Sequence, residues 1–144
     1  MLLTEKESKA LCQKLLGFTK ADDAEVRVSS EDFSHLRFAA NRFTTSGRRE
    51  NATATVTVWM DKKRGSATTN DLDDASLKSA VEQAEHLARI SPVDREYVPT
   101  LGPQSYKPTG GYLEATVNVS LSGRARAIDE IIRACEQKSV VGAG

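Results

Sequence analysis

The spacing of the apolar residues changes twice along the chain, from helical to alternating and back to helical. Near the N-terminus, leucines recur at helical spacing over residues 11–16, and Thr4 and Glu7 have the spacing of a capping box. These features predict an amphipathic helix over residues 5–16. Gly17 is expected to end this helix, because glycine readily takes the left-handed conformation found after helix C-termini.

Apolar and polar residues alternate through the middle of the chain, as they do in half-buried β-strands. The alternation is clear in DAEVRVSS (residues 23–30) and in FSHLRFAA (residues 33–40). The Asn-Arg pair at residues 41–42 then predicts a tight hairpin turn, since asparagine tolerates positive φ. Residues 43–46 would form the returning strand, which Gly47 is expected to interrupt.

The strongest strand pattern is NATATVTVWM, residues 51–60, followed by a polar turn and a short return strand, SATT, at residues 66–69. Because the connections are short, these strands predict an antiparallel β-meander. One face of the sheet is expected to be buried beneath the helices. Its predicted members are Val26, Val28, Leu36, Phe38, Val56 and Val58.

Helical spacing returns after the sheet. Asp73 is a candidate N-cap, an apolar stripe runs through residues 77–88, and Ser91-Pro92 ends the pattern because the residue before proline avoids the helical conformation. Residues 92–116 contain all four prolines and predict an extended surface connector.

A last helix is predicted over residues 121–139, with Ser122 as a candidate cap. The predicted order is α-β-β-β-β-α-loop-α. This order indicates the α+β class, with an antiparallel meander sheet and helices packed on one face.

Composition limits the classes of function. The chain has 144 residues, which suits a single domain (1–144), and its formal net charge of zero removes the usual electrostatic argument for nucleic acid. No apolar run approaches the ~20 residues of a membrane span, and the charged N-terminus lacks a secretory signal pattern. A cytoplasmic location is therefore expected, and Cys12 and Cys135, each within a helical pattern, are expected to be buried thiols.

Few residues suggest chemistry. His35 and His86 lie on predicted polar faces outside any spaced metal motif, so both are interpreted as solvated. Asp71, Asp73 and Asp74 form an acidic cluster without the twelve-residue calcium loop, and helix capping explains them better than a cation site. No catalytic residue and no metal ligand is predicted in this chain.

The outward face of the 51–60 strand is the best candidate for contact with a substrate or partner. Trp59 needs something to pack on, whether a second helix layer, another domain or a bound peptide. Thr57 and Thr55 share its face. Arg48 and Arg49 lie at the hairpin end and are a candidate anion contact, although a solvated turn is the commoner explanation for such a pair. These five residues are the predicted contact set.

The segments DAEVRVSS, LRFAANRF and ATVTVWMDKKRGSATTNDLDDASLKSAVEQAEHLARISPVDREY together resemble the N-terminal domain of the TldD/PmbA family. The resemblance covers about residues 5 to 106. Its most specific part is the Thr-Asn-Asp-Leu corner between the last strand and its helix, within a family run of the form GxxSTNDLS…L…AV..A…AR…D..Y. The residues that carry this run are Gly65, Ala67, Thr68, Thr69, Asn70, Asp71, Leu72, Leu77, Ala80, Val81, Ala84, Ala88, Arg89 and Tyr97.

The resemblance implies a substrate-facing, non-catalytic domain of a zinc metallopeptidase family that acts on peptides or unfolded chains and is also known as modulator of DNA gyrase. The family's H-E-x-x-x-H motif lies in a later C-terminal domain, and the chain holds no such motif. Zinc is therefore expected only in the C-terminal domain of a metal-bearing parent. The implied partners are that C-terminal domain, a second TldD/PmbA-type subunit in a homo- or heterodimer, and a peptide substrate.

Two further hypotheses remain from the residues alone. The chain could be a freestanding module that holds a peptide or protein by strand addition without cutting it. A self-contained hydrolase would need a convergent nucleophile or metal set, which the sequence does not offer. The ending SVVGAG resembles a cut inside a longer protein, with a strand expected after the last helix, and the native coding sequence beyond Gly144 would discriminate between the hypotheses.

Overall fold

The computed structural model describes residues 2–144, which form four helices and one three-stranded sheet. The chain divides into two compact units. The first comprises the chain up to residue 32 together with residues 50–104, and the second comprises residues 33–49 and 105–144. In chain order the elements are α1 Glu5–Phe18, β1 Asp23–Ala39, β2 Arg42–Met60, β3 Lys63–Thr69, α2 Asp74–Ile90, α3 Glu114–Val117 and α4 Leu121–Gln137.

The sheet is an antiparallel meander in the order β1-β2-β3, joined by two tight turns. Both turns have positive φ at two successive residues. In the first turn, φ is 50° at Ala40 and 58° at Asn41, and in the second it is 50° at Asp61 and 62° at Lys62. Two-residue turns of this kind match the right-handed twist of paired strands. The predicted α+β class with an antiparallel meander is confirmed.

The predicted strand boundaries are partly wrong. The first turn uses Ala40 and Asn41 and so lies one residue before the predicted pair. Strand β2 runs unbroken through Gly47, so the predicted strands on either side of this glycine are one element. A Cβ added to Gly47 would lie only 2.6 Å from the Cε1 atom of His35, so the His35 ring covers this glycine. A side chain from the neighbouring strand therefore covers the glycine and supports a continuous strand.

The hydrophobic core lies in the first unit, where α2 packs on β3, and α1 packs on α2 and contributes Leu15 to the core. Val56 lies opposite Ala67 and Val58 opposite Gly65, which fixes the register of the pair. A Cβ on Gly65 would overlap the carbonyl oxygen of Ala84 and the amide nitrogen of Ala88, so glycine lets α2 lie directly on β3. The buried members of this core are Leu15, Ala54, Val56, Val58, Ala67, Leu77, Ala80, Val81, Ala84 and Ala88.

Of the residues predicted for the buried face, Val26 and Val28 are partly buried against this core. Phe38 and Leu36 belong to the second unit, where Phe38 is buried and Leu36 is half-buried. The helix α1 has the predicted capping box at Thr4. Its predicted end at Gly17 is wrong.

Helix α1 continues to Phe18, and no glycine among residues 2–144 has positive φ. The chain leaves α1 through the extended residue Thr19, and the carboxylate of Glu85 accepts hydrogen bonds from the Thr19 hydroxyl (3.2 Å) and the Lys20 amide (2.7 Å). A contact with a buried side chain of α2 therefore replaces the glycine cap.

Helix α2 begins as predicted, because the Asp73 carboxylate accepts a hydrogen bond of 2.7 Å from the Ser76 amide. It ends at Ile90, and the following Ser91 donates its amide hydrogen to the carbonyl of Leu87. Asp73 of the acidic cluster is therefore a helix cap, which agrees with the prediction that helix capping explains the cluster.

In the second unit, α4 carries Ile132 as its buried residue. The N-cap of α4 is Ser120 and not Ser122, the candidate predicted from the sequence. The Ser120 hydroxyl accepts a hydrogen bond of 3.0 Å from the Gly123 amide. The short helix α3, Glu114–Val117, lies at the end of the predicted connector and was not expected from the sequence.

Candidate functional site: the outer face around Trp59

Trp59 lies near the end of β2 and is half-buried. The ring of Tyr97 lies tilted against it, with 6.2 Å between ring centroids and 45° between the planes. The Arg64 guanidinium, on the facing position of β3, lies 6.0 Å from the Trp59 ring centroid. The tryptophan therefore already packs against side chains of its own chain.

Tyr97 belongs to a segment that crosses the end of the sheet, and residues 92–100 are called the strap below. Near its start the strap pairs with β3 through a bridge between Val93 and Lys63, and the Asp94 amide donates to the Lys62 carbonyl (2.9 Å). The first part of the predicted connector is thus bound to the sheet.

Asp23, the first residue of β1, holds the other end of the strap. Its carboxylate accepts hydrogen bonds from the Thr100 hydroxyl (2.6 Å), the Thr100 amide (2.8 Å) and the Tyr97 hydroxyl (3.3 Å). The strap therefore passes from β3 to β1 beside Trp59, and a single carboxylate holds its end at β1.

The electrostatics of this anchor follow from its donors. The hydrogen bond from the Thr100 side chain, helped by the Thr100 amide, lowers the pKa of Asp23 below its ordinary value because both donors favour the charged carboxylate. Loss of hydration, followed by the negative charge of Asp23, raises the pKa of Tyr97. At neutral pH, Asp23 is thus an anion and Tyr97 a neutral donor.

Beside Trp59, the outer surface of the sheet carries paired hydroxyl groups, called the hydroxyl face below. Thr55 lies 2.8 Å from Thr68 and Thr57 lies 3.0 Å from Ser66, each measured between hydroxyl oxygens. A third pair joins Ser29 and Thr53 at 2.9 Å. The face consists of Ser29, Thr53, Thr55, Thr57, Ser66 and Thr68.

A hydroxyl can donate once and accept twice. The exposed hydroxyls of Ser29, Ser66 and Thr68 therefore retain the capacity to bind water or the backbone of another polypeptide, whereas Thr57 is only 7% exposed. The six side chains of the face are all hydroxyls, with no acidic or basic side chain among them. Its chemistry is that of a polar surface that forms hydrogen bonds.

The other two predicted contact residues, Arg48 and Arg49, lie in the second unit. The guanidinium of Arg49 lies 5.1 Å from the ring centroid of Phe33, whose ring stacks on His35 at 5.8 Å between centroids. The predicted solvated state of His35 is therefore wrong, because its ring packs between Phe33 and Gly47. His86 is exposed, as predicted.

The arrangement of the donor side chains decides whether a metal ion fits. Among residues 2–144, no group of three or more histidine, cysteine or acidic side chains could hold a metal ion. Cys12 and Cys135 are free thiols, partly buried where full burial was expected. The donor side chains of the described residues do not fit a zinc site, and no catalytic step is assigned to them.

A shallow polar groove of about 430 Å³ lies beside the hydroxyl face, between the end of β3 and the first half of α2. It was not anticipated from the sequence. Its lining residues are Thr68, Thr69, Ala75, Ser76, Ser79, Ala80 and Gln83. No helix among residues 2–144 combines the length and the apolar character that crossing a membrane requires.

The sequence singled out Trp59 and its neighbouring threonines as candidate contacts but gave no indication of Asp23, Tyr97 and Thr100 beside them. Asp23 contacts residues 74 and 77 positions away along the chain, so no local pattern connects them. The only sequence signal is an acidic residue at the start of a strand together with a tyrosine in a proline-rich segment.

The fold is that of an α+β domain whose sheet carries a hydroxyl-lined outer face. Residues 24–88, which include β2, β3, all but the first residue of β1 and most of α2, match the family model described as PmbA/TldA metallopeptidase domain 1. The predicted resemblance to the N-terminal domain of the TldD/PmbA family is therefore confirmed. Among curated proteins, no sequence matches the chain significantly.

Two solved structures share the fold. One is TldE from Thermococcus kodakarensis, with a TM-score of 0.72 and 20% identity over 90% of this chain and 29% of that chain. Another, from Thermotoga maritima MSB8, is described as a candidate modulator of a DNA gyrase, with a TM-score of 0.63 and 19% identity over 84% of this chain and 27% of that one. This chain thus spans less than a third of each solved relative.

Proposed function

We propose that this chain is the N-terminal, non-catalytic domain of a TldD/PmbA-type metallopeptidase or of a partner subunit that lacks the metal motif. Its role is to shape the groove for a peptide substrate and to contribute to the contact with a second subunit. The observation that carries the proposal is the match of residues 24–88 to the first domain of this metallopeptidase family.

The hydroxyl face and Trp59 are the surface proposed for this role. A β-surface with three pairs of hydroxyls, of which Ser29, Ser66 and Thr68 are exposed, can bind an extended backbone through hydrogen bonds without regard to sequence. Trp59 adds apolar area at one end, with Arg64 beside it to attract an anionic group. Zinc would reside in a C-terminal domain of a metal-bearing parent, and Arg48 and Arg49 remain a proposed second contact.

The first test is the native coding sequence downstream of the Gly144 codon. We expect it to continue for some hundreds of codons. An H-E-x-x-x-H motif there would assign the chain to a metal-bearing subunit, and continuation without the motif would assign it to the partner subunit. An immediate stop codon would contradict the proposal and favour a freestanding peptide- or protein-binding module.

The second test addresses the face itself, in the longer protein assembled with its partner subunit. Thr55→Arg places a bulky cation in the middle of the hydroxyl face, so we expect weaker peptide binding, measured as a raised KM, or weaker subunit association, measured by sedimentation. The matched control is Gln13→Arg on the exposed side of α1. If Thr55→Arg and Gln13→Arg behave alike in both measurements, the face has neither role.

A further inference from the structure

The last residues of the chain form the beginning of a strand on the outer edge of β1. Phe38 and Gly144 exchange both backbone hydrogen bonds, with the Phe38 amide 2.9 Å from the Gly144 carbonyl and the Gly144 amide 3.0 Å from the Phe38 carbonyl. Ala39 and Ala143 form an antiparallel bridge beside them. The chain therefore returns from α4 to the sheet, on the side of β1 away from β2.

Asn41, in the turn between β1 and β2, fixes the position of this returning segment. Its side-chain amide donates to the Val140 carbonyl (3.0 Å), and its side-chain oxygen accepts from the Gly142 amide (2.8 Å). A strand that pairs through backbone groups alone can slip by two residues, whereas these two side-chain bonds specify one register.

The sequence of the segment also fits this edge. A Cβ on Gly142 would lie 2.7 Å from the sulfur of Cys135 and 3.3 Å from the Phe38 ring. A Cβ on Gly144 would lie 2.8 Å from the same ring. The two glycines therefore allow the backbone to pack directly on Phe38, which is 8% exposed.

The edge of β1 extends past the point where the chain pairs with it. In an antiparallel ladder, alternate residues direct their backbone groups to the same side, so the next positions facing outward after Phe38 are Leu36 and Ser34. No backbone group between residues 2 and 144 pairs with Leu36 or Ser34 on this side. An open edge of this kind tends to pair with other chains unless it is covered.

We propose that, in a longer protein, the polypeptide joined directly to Gly144 continues as a fourth strand antiparallel to β1, pairing first with Leu36 and then with Ser34. This inference rests on the part of the proposed function that places the chain within a longer protein, as in the two solved relatives. The attached polypeptide is the favoured occupant because Gly144 already delivers it in the correct direction and register. A covalently attached strand also pairs at a high effective concentration.

The position of the strand predicts the kind of residue it carries. Leu36 is half-buried and lies two residues from Phe38 on the same strand, so both side chains point to the same face. The residue that pairs with Leu36 is therefore expected to be apolar. The whole strand covers only the part of β1 that belongs to the second unit.

The experiment compares three chains by amide hydrogen exchange: residues 1–144, the same chain extended by about eight residues that its gene encodes next, and a Gly-Ser extension of equal length. We expect the native extension to slow the exchange of the Leu36 and Ser34 amides by about tenfold or more, while the Gly-Ser extension has a smaller effect. The Phe38 amide, already bonded to Gly144, serves as the internal reference.

Gly142→Ala in the natively extended chain supplies the variant, because its Cβ pushes the segment away from Phe38. We expect it to restore fast exchange at Leu36, whereas Gly111→Ala, where a Cβ meets open space, leaves the protection intact. Unprotected amides in the native extension, or a stop codon after Gly144, overturn the inference. Because exchange is measured without substrate, a failure of the peptide-groove proposal leaves this result unaffected.

Discussion

At the scale of single residues, two glycines show how position decides what a glycine does. Gly65 lies under the backbone of α2, where a Cβ would overlap Ala84 and Ala88. Gly17 lies within α1, where a Cβ would meet nothing within 4 Å. The first glycine is required by packing. The second only lowers the helix propensity of α1.

We predict opposite effects of adding one methyl group at these positions. Gly65→Ala should lower the free energy of unfolding by about 1–3 kcal/mol, because helix and strand must separate. Gly17→Ala should raise it by about 0.5–1 kcal/mol, because the φ of Gly17 is not positive and alanine favours helix. Urea unfolding followed by circular dichroism measures both, and a destabilised Gly17→Ala variant would contradict the account.

Glu85 is a charged residue that is only 6% exposed. Its carboxylate accepts hydrogen bonds from the Thr19 hydroxyl and the Lys20 amide. It also accepts one of 3.2 Å from the Arg89 guanidinium. These contacts link the exit of α1 to the middle of α2.

We predict that Glu85→Ala lowers the free energy of unfolding by about 1–3 kcal/mol, because the Lys20 amide loses its acceptor. The control is Glu82→Ala on the exposed side of the same helix, where an ion pair with Lys78 at 3.9 Å contributes little, and we expect a change within about 0.5 kcal/mol. Equal changes in the two variants would show that the hydrogen bonds of Glu85 to Thr19, Lys20 and Arg89 do not stabilise the fold.

At the scale of elements, the strap links the two edge strands through Asp23. The pKa of Asp23 is lowered in the folded protein, chiefly by the Thr100 hydroxyl. A lowered pKa means that the charged form stabilises the fold above the ordinary carboxyl pKa of 3.8 and that this contribution is lost as the pH falls through the lowered value.

We predict that Asp23→Asn is less stable than the natural chain at pH 7 and that the difference shrinks as the pH falls below 3.8. Trp59 is the only tryptophan of the chain, so its fluorescence reports unfolding and the contact with Tyr97 directly. Thr100→Ala should produce a smaller loss with the same pH dependence. A difference that is independent of pH would indicate that the anchor does not act through its charge.

At the scale of the whole molecule, the buried side chains are distributed unevenly between the two units. The ten buried residues of the core cluster all lie in the first unit. In the second unit, Phe38 and Ile132 are buried, while several large side chains, such as Tyr106 and Tyr112, are more than 70% exposed.

We therefore predict that the second unit opens more readily than the first. Backbone amides in the middle of α4 should exchange at least about tenfold faster than those in the middle of α2, since local opening there disrupts little apolar contact. Native-state hydrogen exchange at neutral pH makes the comparison. Equal protection of the two helices would mean that the units unfold together.

The sequence by itself determined the elements whose signals lie within a few residues of one another. The capping box at Thr4, the cap at Asp73 and the alternation of β2 all act between near neighbours, so they predicted two helices, the meander and the α+β class. Local motifs were also enough to indicate the TldD/PmbA resemblance, because its most specific part is one continuous corner.

Only the tertiary structure decided the contacts that join distant parts of the chain. Glu85 replaces the expected cap of α1 from 65 residues away, Asp23 anchors a strap from 77 away, and Asn41 positions the last residues from 101 away. Such contacts depend on which side chains the folded sheet brings together, and neither residue of a pair carries a local signal for the other. For the same reason, the sequence left open which group packs against Trp59. Its partner Tyr97 reaches it only because the strap crosses the end of the sheet.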